Sequence, residues 1–128
     1  MRDRPDAIML FAACFGTRMR PLTNDRPKPL IEVAGQTRLD HALELVRTAG
    51  IPRPGVNAHY LADQIVAHLG GSQIPVSIEA PDILDTGGGL RAAMPLLGNP
   101  SAVYTLNTDA IWTGANPLCA LADAWDPG

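Results

Sequence analysis

The sequence predicts an α/β fold, a single open and mainly parallel sheet with helices on both faces. Three observations predict it. The chain has 128 residues, 46% hydrophobic and 18% charged, enough for one core of ordinary size and one domain spanning residues 1–128. Ala7 to Ala12 is apolar throughout, as a strand buried on both faces must be. Beyond it, β-type runs alternate with stretches of helical spacing, and no linker, repeat or low-complexity segment interrupts the alternation.

Taken in order, Ala7 to Ala12 is the first strand. Leu39, Ala42, Leu43, Val46 and Ala49 recur at helical spacing, with Gly50 as the stop and Pro52 just beyond. A short strand follows near Gly55 to Ala58. A second helix carries Leu61, Ile65 and Leu69 and ends at Gly70-Gly71, and Val76 to Ala80 alternates as a strand. The third helix opens at Gly87 to Gly89, places Leu90, Met94 and Leu97 on one face, and stops at Gly98. Ala102 to Leu106 is the fourth strand, and Asn116 to Trp125 one more helix. In such a βαβαβαβα order, ligands are expected beyond the carboxyl ends of the strands.

Composition narrows the function classes. No apolar run approaches the ~20 residues of a membrane span, and the opening MRDRPD is unlike a signal peptide, so a cytoplasmic chain without membrane partners is expected. Cys14 and Cys119 lack the paired spacing of a zinc site and read as free thiols. A net charge of -3 argues against nucleic acid as a partner. That total conceals a polarity: Arg18, Arg20, Arg26 and Lys28 face only Asp25 between Thr17 and Lys28, whereas six acids face only Arg91 from Glu79 onward. The oligomeric state is left open.

Four segments fall at the carboxyl edge. In Ala12-Ala13-Cys14-Phe15-Gly16-Thr17-Arg18, small residues and a glycine precede a basic residue. Backbone N–H groups of such a loop can converge on phosphate oxygens while the arginine fork binds from the side; a tight turn with solvated arginines would carry the same pattern. The required glycines of a P-loop or dinucleotide fingerprint are absent. In Arg26-Pro27-Lys28-Pro29, two prolines stiffen the chain around the only lysine of the protein, a point charge suited to a phosphate. Asp109 stands just past the fourth strand, where one carboxylate could hold the Mg²⁺ of a nucleoside triphosphate or merely cap a turn. Asp85-Thr86-Gly87 opens the third helix, either as an ordinary cap or as a place where a flat base meets the backbone.

Together FAACFGTRMRPLT and KPLIEVAG resemble the sugar-1-phosphate nucleotidyltransferase family, whose opening reads LAAGxGTRLxPLT followed by KPLIxVxG. VNAHYL, LDTGGG and NTDAIWT bring the chain nearest to the branch that uridylylates N-acetylmuramate 1-phosphate in peptidoglycan recycling. The resemblance implies a Rossmann-like sheet and a catalytic set of Arg18, Lys28 and Asp109. Ala12, Ala13, Cys14, Gly16, Thr17, Arg18 and Lys28 would lie around the triphosphate, Asp85, Thr86 and Gly87 around the base, and Asp109 on the magnesium. It implies a nucleoside triphosphate, with UTP favoured, and a sugar 1-phosphate as substrates. A guanylyl- or thymidylyltransferase for another hexose 1-phosphate, or a non-catalytic nucleotide-binding fragment, are the alternatives. Cys14 stands where the family loop has its first glycine, and Thr108 where a glycine commonly precedes the metal aspartate. The chain looks like an amino-terminal part, with a second metal carboxylate and most sugar contacts expected beyond Gly128.

Overall fold

The computed structural model describes residues 4–13, 21–80, 84, 86–108, 112 and 114–126. Among these residues four strands, β1 (Ala7–Phe11), β4 (Arg53–Ala58), β5 (Val76–Ile78) and β6 (Tyr104–Asn107), form one sheet in the order β5-β4-β1-β6. Every pairing in it is parallel. The order runs away from β1 on one side and then restarts on the other, which puts a topological switch point between β1 and β6.

Helices cover both faces, as the apolar first strand requires: Ala7, Ile8, Met9 and Leu10 are all 0% exposed. Side chains alternate along the strand. Ile8, Leu10 and Ala12 join the larger cluster beneath α1 (Arg38–Ala49), α2 (Ala62–His68) and α4 (Pro117–Ala124), whereas Ala7 and Met9 join a smaller one beneath α3 (Thr86–Ala93). Each large side chain buried there contributes about 1.5–3 kcal/mol.

The helix ends follow local chemistry. Thr37 accepts the N–H of Asp40 to begin α1, and Gly50 closes it in the left-handed conformation with φ of 72°. Asn116 caps α4 by accepting the Leu118 N–H, and its amide donates to the Leu45 carbonyl on α1. No helix among the described residues is long and apolar enough to cross a membrane.

The structure departs from the expectations at three places. The third helix does not run unbroken to Leu97. Pro95 supplies no N–H to the helical ladder, so the chain tightens into a 3-10 turn over Met94–Leu97, and Ala93 and Leu97, with Leu90 beside them, reach the smaller cluster while Met94 stays only half-buried. A hairpin of two-residue strands, β2 (Glu32–Val33) and β3 (Gln36–Thr37), precedes α1 without having been expected. Its turn places both Ala34 and Gly35 at positive φ, 53° and 83°, the arrangement of a tight hairpin turn. Finally, β5 begins where expected but stops at Ile78 rather than Ala80, and β6 runs over Tyr104–Asn107 rather than Ala102 to Leu106, although Glu79 still donates its N–H to the Ala58 carbonyl at 2.8 Å.

Candidate functional site

At the carboxyl ends of the strands the buried groups turn polar. Phe11, the last residue of β1, is paired with Asn57 on one side and Asn107 on the other. Asn57 is 4% exposed. Its Oδ1 accepts the N–H groups of Ala12 at 2.7 Å and Ala13 at 3.1 Å, the two residues through which the chain leaves the sheet. Its Nδ2 donates to Glu79 Oε2 at 2.8 Å, and Glu79 Oε1 accepts the Leu84 N–H at 2.9 Å. Glu79 is 3% exposed, so both carboxylate oxygens receive donors in a place where an unpaired charge would be costly. His59 adds a further tie by donating from Nδ1 to the Glu79 carbonyl at 2.6 Å. Four chain segments therefore meet through two side chains.

The glycine-rich start of α3 has a structural use here. A Cβ at Gly89 would stand 2.6 Å from Glu79 Oε2 and 3.0 Å from Asn57 Nδ2, so only glycine lets the helix close over this pair. Thr86 and Gly87 open the same helix, beside the segment that Glu79 holds through Leu84.

On the other flank of β1, buried Thr108 donates from Oγ1 to the Phe11 carbonyl at 2.8 Å. The hydroxyl thus fixes the end of β6 against the end of β1, with Asp109 next in the chain. Lys28 is carried by a different element, a 3-10 turn over Lys28–Leu30 that packs against α1. Pro27 and Pro29 are fully buried around it while Lys28 is half-buried, so the expected stiffening is present. The segment leading to this turn is strapped to the region of α2. Tyr60 donates its hydroxyl to the Thr23 carbonyl at 2.7 Å, and Gln64 its amide to the Asp25 carbonyl at 2.8 Å.

Of the expected site residues, the structure gathers Ala12 and Ala13 with the segment leading into α3. Cys14, Gly16, Thr17, Arg18, Asp85 and Asp109 lie outside the described residues. Since the N–H groups of Ala12 and Ala13 are already taken by Asn57, any amides that meet phosphate belong further along the loop. Among the described residues no three His, Cys, Asp or Glu side chains gather as a metal cage. Asn57 and Glu79 were not singled out as site residues from the sequence. A signal was present, since each is a polar residue flanked by apolar ones, Val56-Asn57-Ala58 and Ile78-Glu79-Ala80.

A parallel sheet with a switch point and a polar cluster at its carboxyl edge is shared by many nucleotide-binding proteins, and sequence comparison decides among them. The model of the MobA-like NTP transferase domain matches residues 8–128. The chain belongs to this family. It is 44% identical to the N-acetylmuramate alpha-1-phosphate uridylyltransferase of Caulobacter vibrioides, over 99% of this chain and 56% of the relative. It is 33% identical to the mannose-1-phosphate guanyltransferase of Hypocrea jecorina, over 80% of this chain and 30% of the relative. The chain therefore spans little more than half the length of the first and less than a third of the second. The CTP:phosphocholine cytidylyltransferase of Streptococcus pneumoniae is a structural neighbour with a TM-score of 0.68 and 26% identity, over 84% of this chain and 46% of that one. The nucleotidyltransferase resemblance read from the two opening motifs thus holds at the level of family and fold.

Proposed function

We propose that this MobA-like NTP transferase domain binds a magnesium nucleoside triphosphate at the carboxyl edge of the sheet and serves uridylyl transfer to N-acetylmuramate 1-phosphate. The observation that carries the choice of base and sugar is the 44% identity to the Caulobacter uridylyltransferase across 99% of the chain. In this reading an oxygen of the sugar phosphate attacks the α-phosphorus of UTP, the bond from that phosphorus to the bridging oxygen breaks, and pyrophosphate leaves with the electron pair. No protein nucleophile is needed, so catalysis consists of alignment and charge neutralisation.

Each residue has a role in that scheme. Ala12 and Ala13 aim the loop through Cys14, Gly16 and Thr17 at the triphosphate, Arg18 and Lys28 contact its oxygens, and the segment Asp85-Thr86-Gly87 borders the base. Glu79 does not suit a metal, because both of its oxygens are occupied by N–H donors. Asp109 does: a hard carboxylate directly after the anchored Thr108 fits Mg²⁺, which takes one or two carboxylates and fills its other positions with water and substrate oxygens. The bound ion would neutralise the triphosphate.

Calorimetric titration of the chain with UTP, GTP and CTP, each with and without Mg²⁺, tests the reading. UTP is expected to bind tightest, with the metal required and Asp109→Asn abolishing this metal-dependent binding. Tighter GTP binding would favour the guanylyl alternative, and no binding of any of the three would remove the uridylyl and guanylyl readings. A pyrophosphate-release assay with UTP and N-acetylmuramate 1-phosphate, set against GTP and mannose 1-phosphate, tests the sugar.

A further inference from the structure

Asn57 and Glu79 satisfy one another in a way that nothing about building the sheet requires. The strand ladder is complete without their side chains, and a pair of apolar residues of similar volume would avoid desolvating a carboxylate. All the donors they collect lie outside the regular strands: Ala12 and Ala13 where the chain departs from β1, and Leu84 where it approaches α3. We infer that Asn57 and Glu79 are positioning residues that hold the exit of β1 and the approach to α3 in one fixed relation, so that a nucleoside triphosphate meets its phosphate side and its base side already aligned. This inference rests on the nucleotide reading given above.

The chemistry fixes the direction of the bridge. An ionised carboxylate only accepts hydrogen bonds, so Glu79 forces Asn57 to present Nδ2 to it and Oδ1 to the two backbone N–H groups. Glu79 therefore acts on Ala12 and Ala13 without touching them. Glu79→Gln leaves one amide oxygen to serve two donors on opposite sides, and one of the two goes unpaired. Asn57→Asp sets two carboxylates 2.8 Å apart. The double variant N57D/E79Q reverses the polarity of the bridge and makes it whole again. The carboxylate introduced at position 57 would accept from Ala12, Ala13 and the amide introduced at position 79, while the oxygen of that amide would accept from Leu84, and the net charge is unchanged.

The experiment measures Mg²⁺–UTP affinity by titration and amide hydrogen exchange at Ala12, Ala13 and Leu84 by NMR, at a temperature where circular dichroism shows each variant folded. Each single variant is expected to weaken binding by about tenfold or more, and the double to return to within about threefold of the original chain. Exchange at Ala12 and Ala13 should accelerate in Glu79→Gln and slow again in the double. A residue that merely fills the core would not produce this recovery by polarity reversal. Folded single variants that bind normally, or a folded double variant no better than the singles, would overturn the inference. Should a single variant not fold, Gly89→Ala replaces it, since its Cβ displaces the Glu79 carboxylate without changing the chemistry of either side chain. The same loss of affinity is expected there, and unchanged affinity with unchanged exchange counts against the bridge. If the original chain binds no nucleoside triphosphate, the nucleotide reading fails by itself, and exchange at Ala12 and Ala13 in Glu79→Gln still decides whether the bridge exists.

Discussion

The two faces of the sheet are built for different tasks. Among the described residues, fourteen buried ones form the apolar cluster under α1, α2 and α4, whereas four form the cluster under α3. On that thinner side the sheet's carboxyl end is occupied by Asn57, Glu79 and the close approach of Gly89. The difference teaches that cohesion and positioning are separated in space: one face supplies most of the apolar burial, and the other gives up apolar area to hold polar groups in fixed directions.

Neighbouring residues on β1 give the sharpest test of that separation. Leu10 points into the larger cluster and Met9 into the smaller, and both are 0% exposed. Truncating either to alanine should cost about 2–5 kcal/mol, with Leu10→Ala toward the upper end, because the densely surrounded cavity on its side has less freedom to collapse. Urea denaturation of the two variants checks the ranking. Equal costs, or a larger one for Met9→Ala, would mean that the thin face is as cohesive as the thick one.

What could be read in the sequence follows the same division. The large-face elements were legible because their signals are local: the apolar run at the first strand, the helical spacing of Leu39, Ala42 and Val46, and the stop at Gly50. The hairpin before α1 was not, since its strands are two residues long and Ala34, a residue that rarely adopts positive φ, occupies its first turn position. On the site side the loop and lysine motifs were visible as contiguous strings. The Asn57–Glu79 contact was not, because its partners are 22 positions apart and periodicity carries no information about which polar residues pair across strands.

The next largest effect concerns Lys28, which belongs to neither cluster. If its role is to meet phosphate, Lys28→Ala should weaken Mg²⁺–UTP binding about tenfold or more, as the loss of one charge-assisted contact implies, while leaving the urea midpoint nearly unchanged. Pro27 and Pro29 remain buried in such a variant and keep the turn. A large fall in stability with unaltered affinity would assign Lys28 to the framework instead. Thr108→Val is expected to be milder. The isosteric change deletes the hydroxyl that binds the Phe11 carbonyl, and a cost of about 1 kcal/mol in denaturant unfolding is expected. No measurable cost would show that backbone pairing alone holds the end of β6.

The smallest effect expected is a pH dependence on the cohesive face. Tyr104 on β6 is buried in the larger cluster, and this burial pushes its hydroxyl pKa above the ordinary 10.0; Arg4 opposes the rise and Cys119 adds to it. Below the ordinary value the phenol is neutral in both folded and unfolded chains and contributes no slope. As pH passes 10.0 the unfolded chain releases the proton while the folded chain retains it, so the unfolded state binds fewer protons and stability falls with rising pH. Tyr104→Phe removes that part of the fall. Urea midpoints of the two proteins at about pH 8 and about pH 10.5 measure it, the original chain being expected to lose more stability between them than the variant. Equal losses would mean that the hydroxyl is hydrated even in the folded chain, and that water reaches the larger cluster at β6, the one place where the contrast between the two faces would then break down.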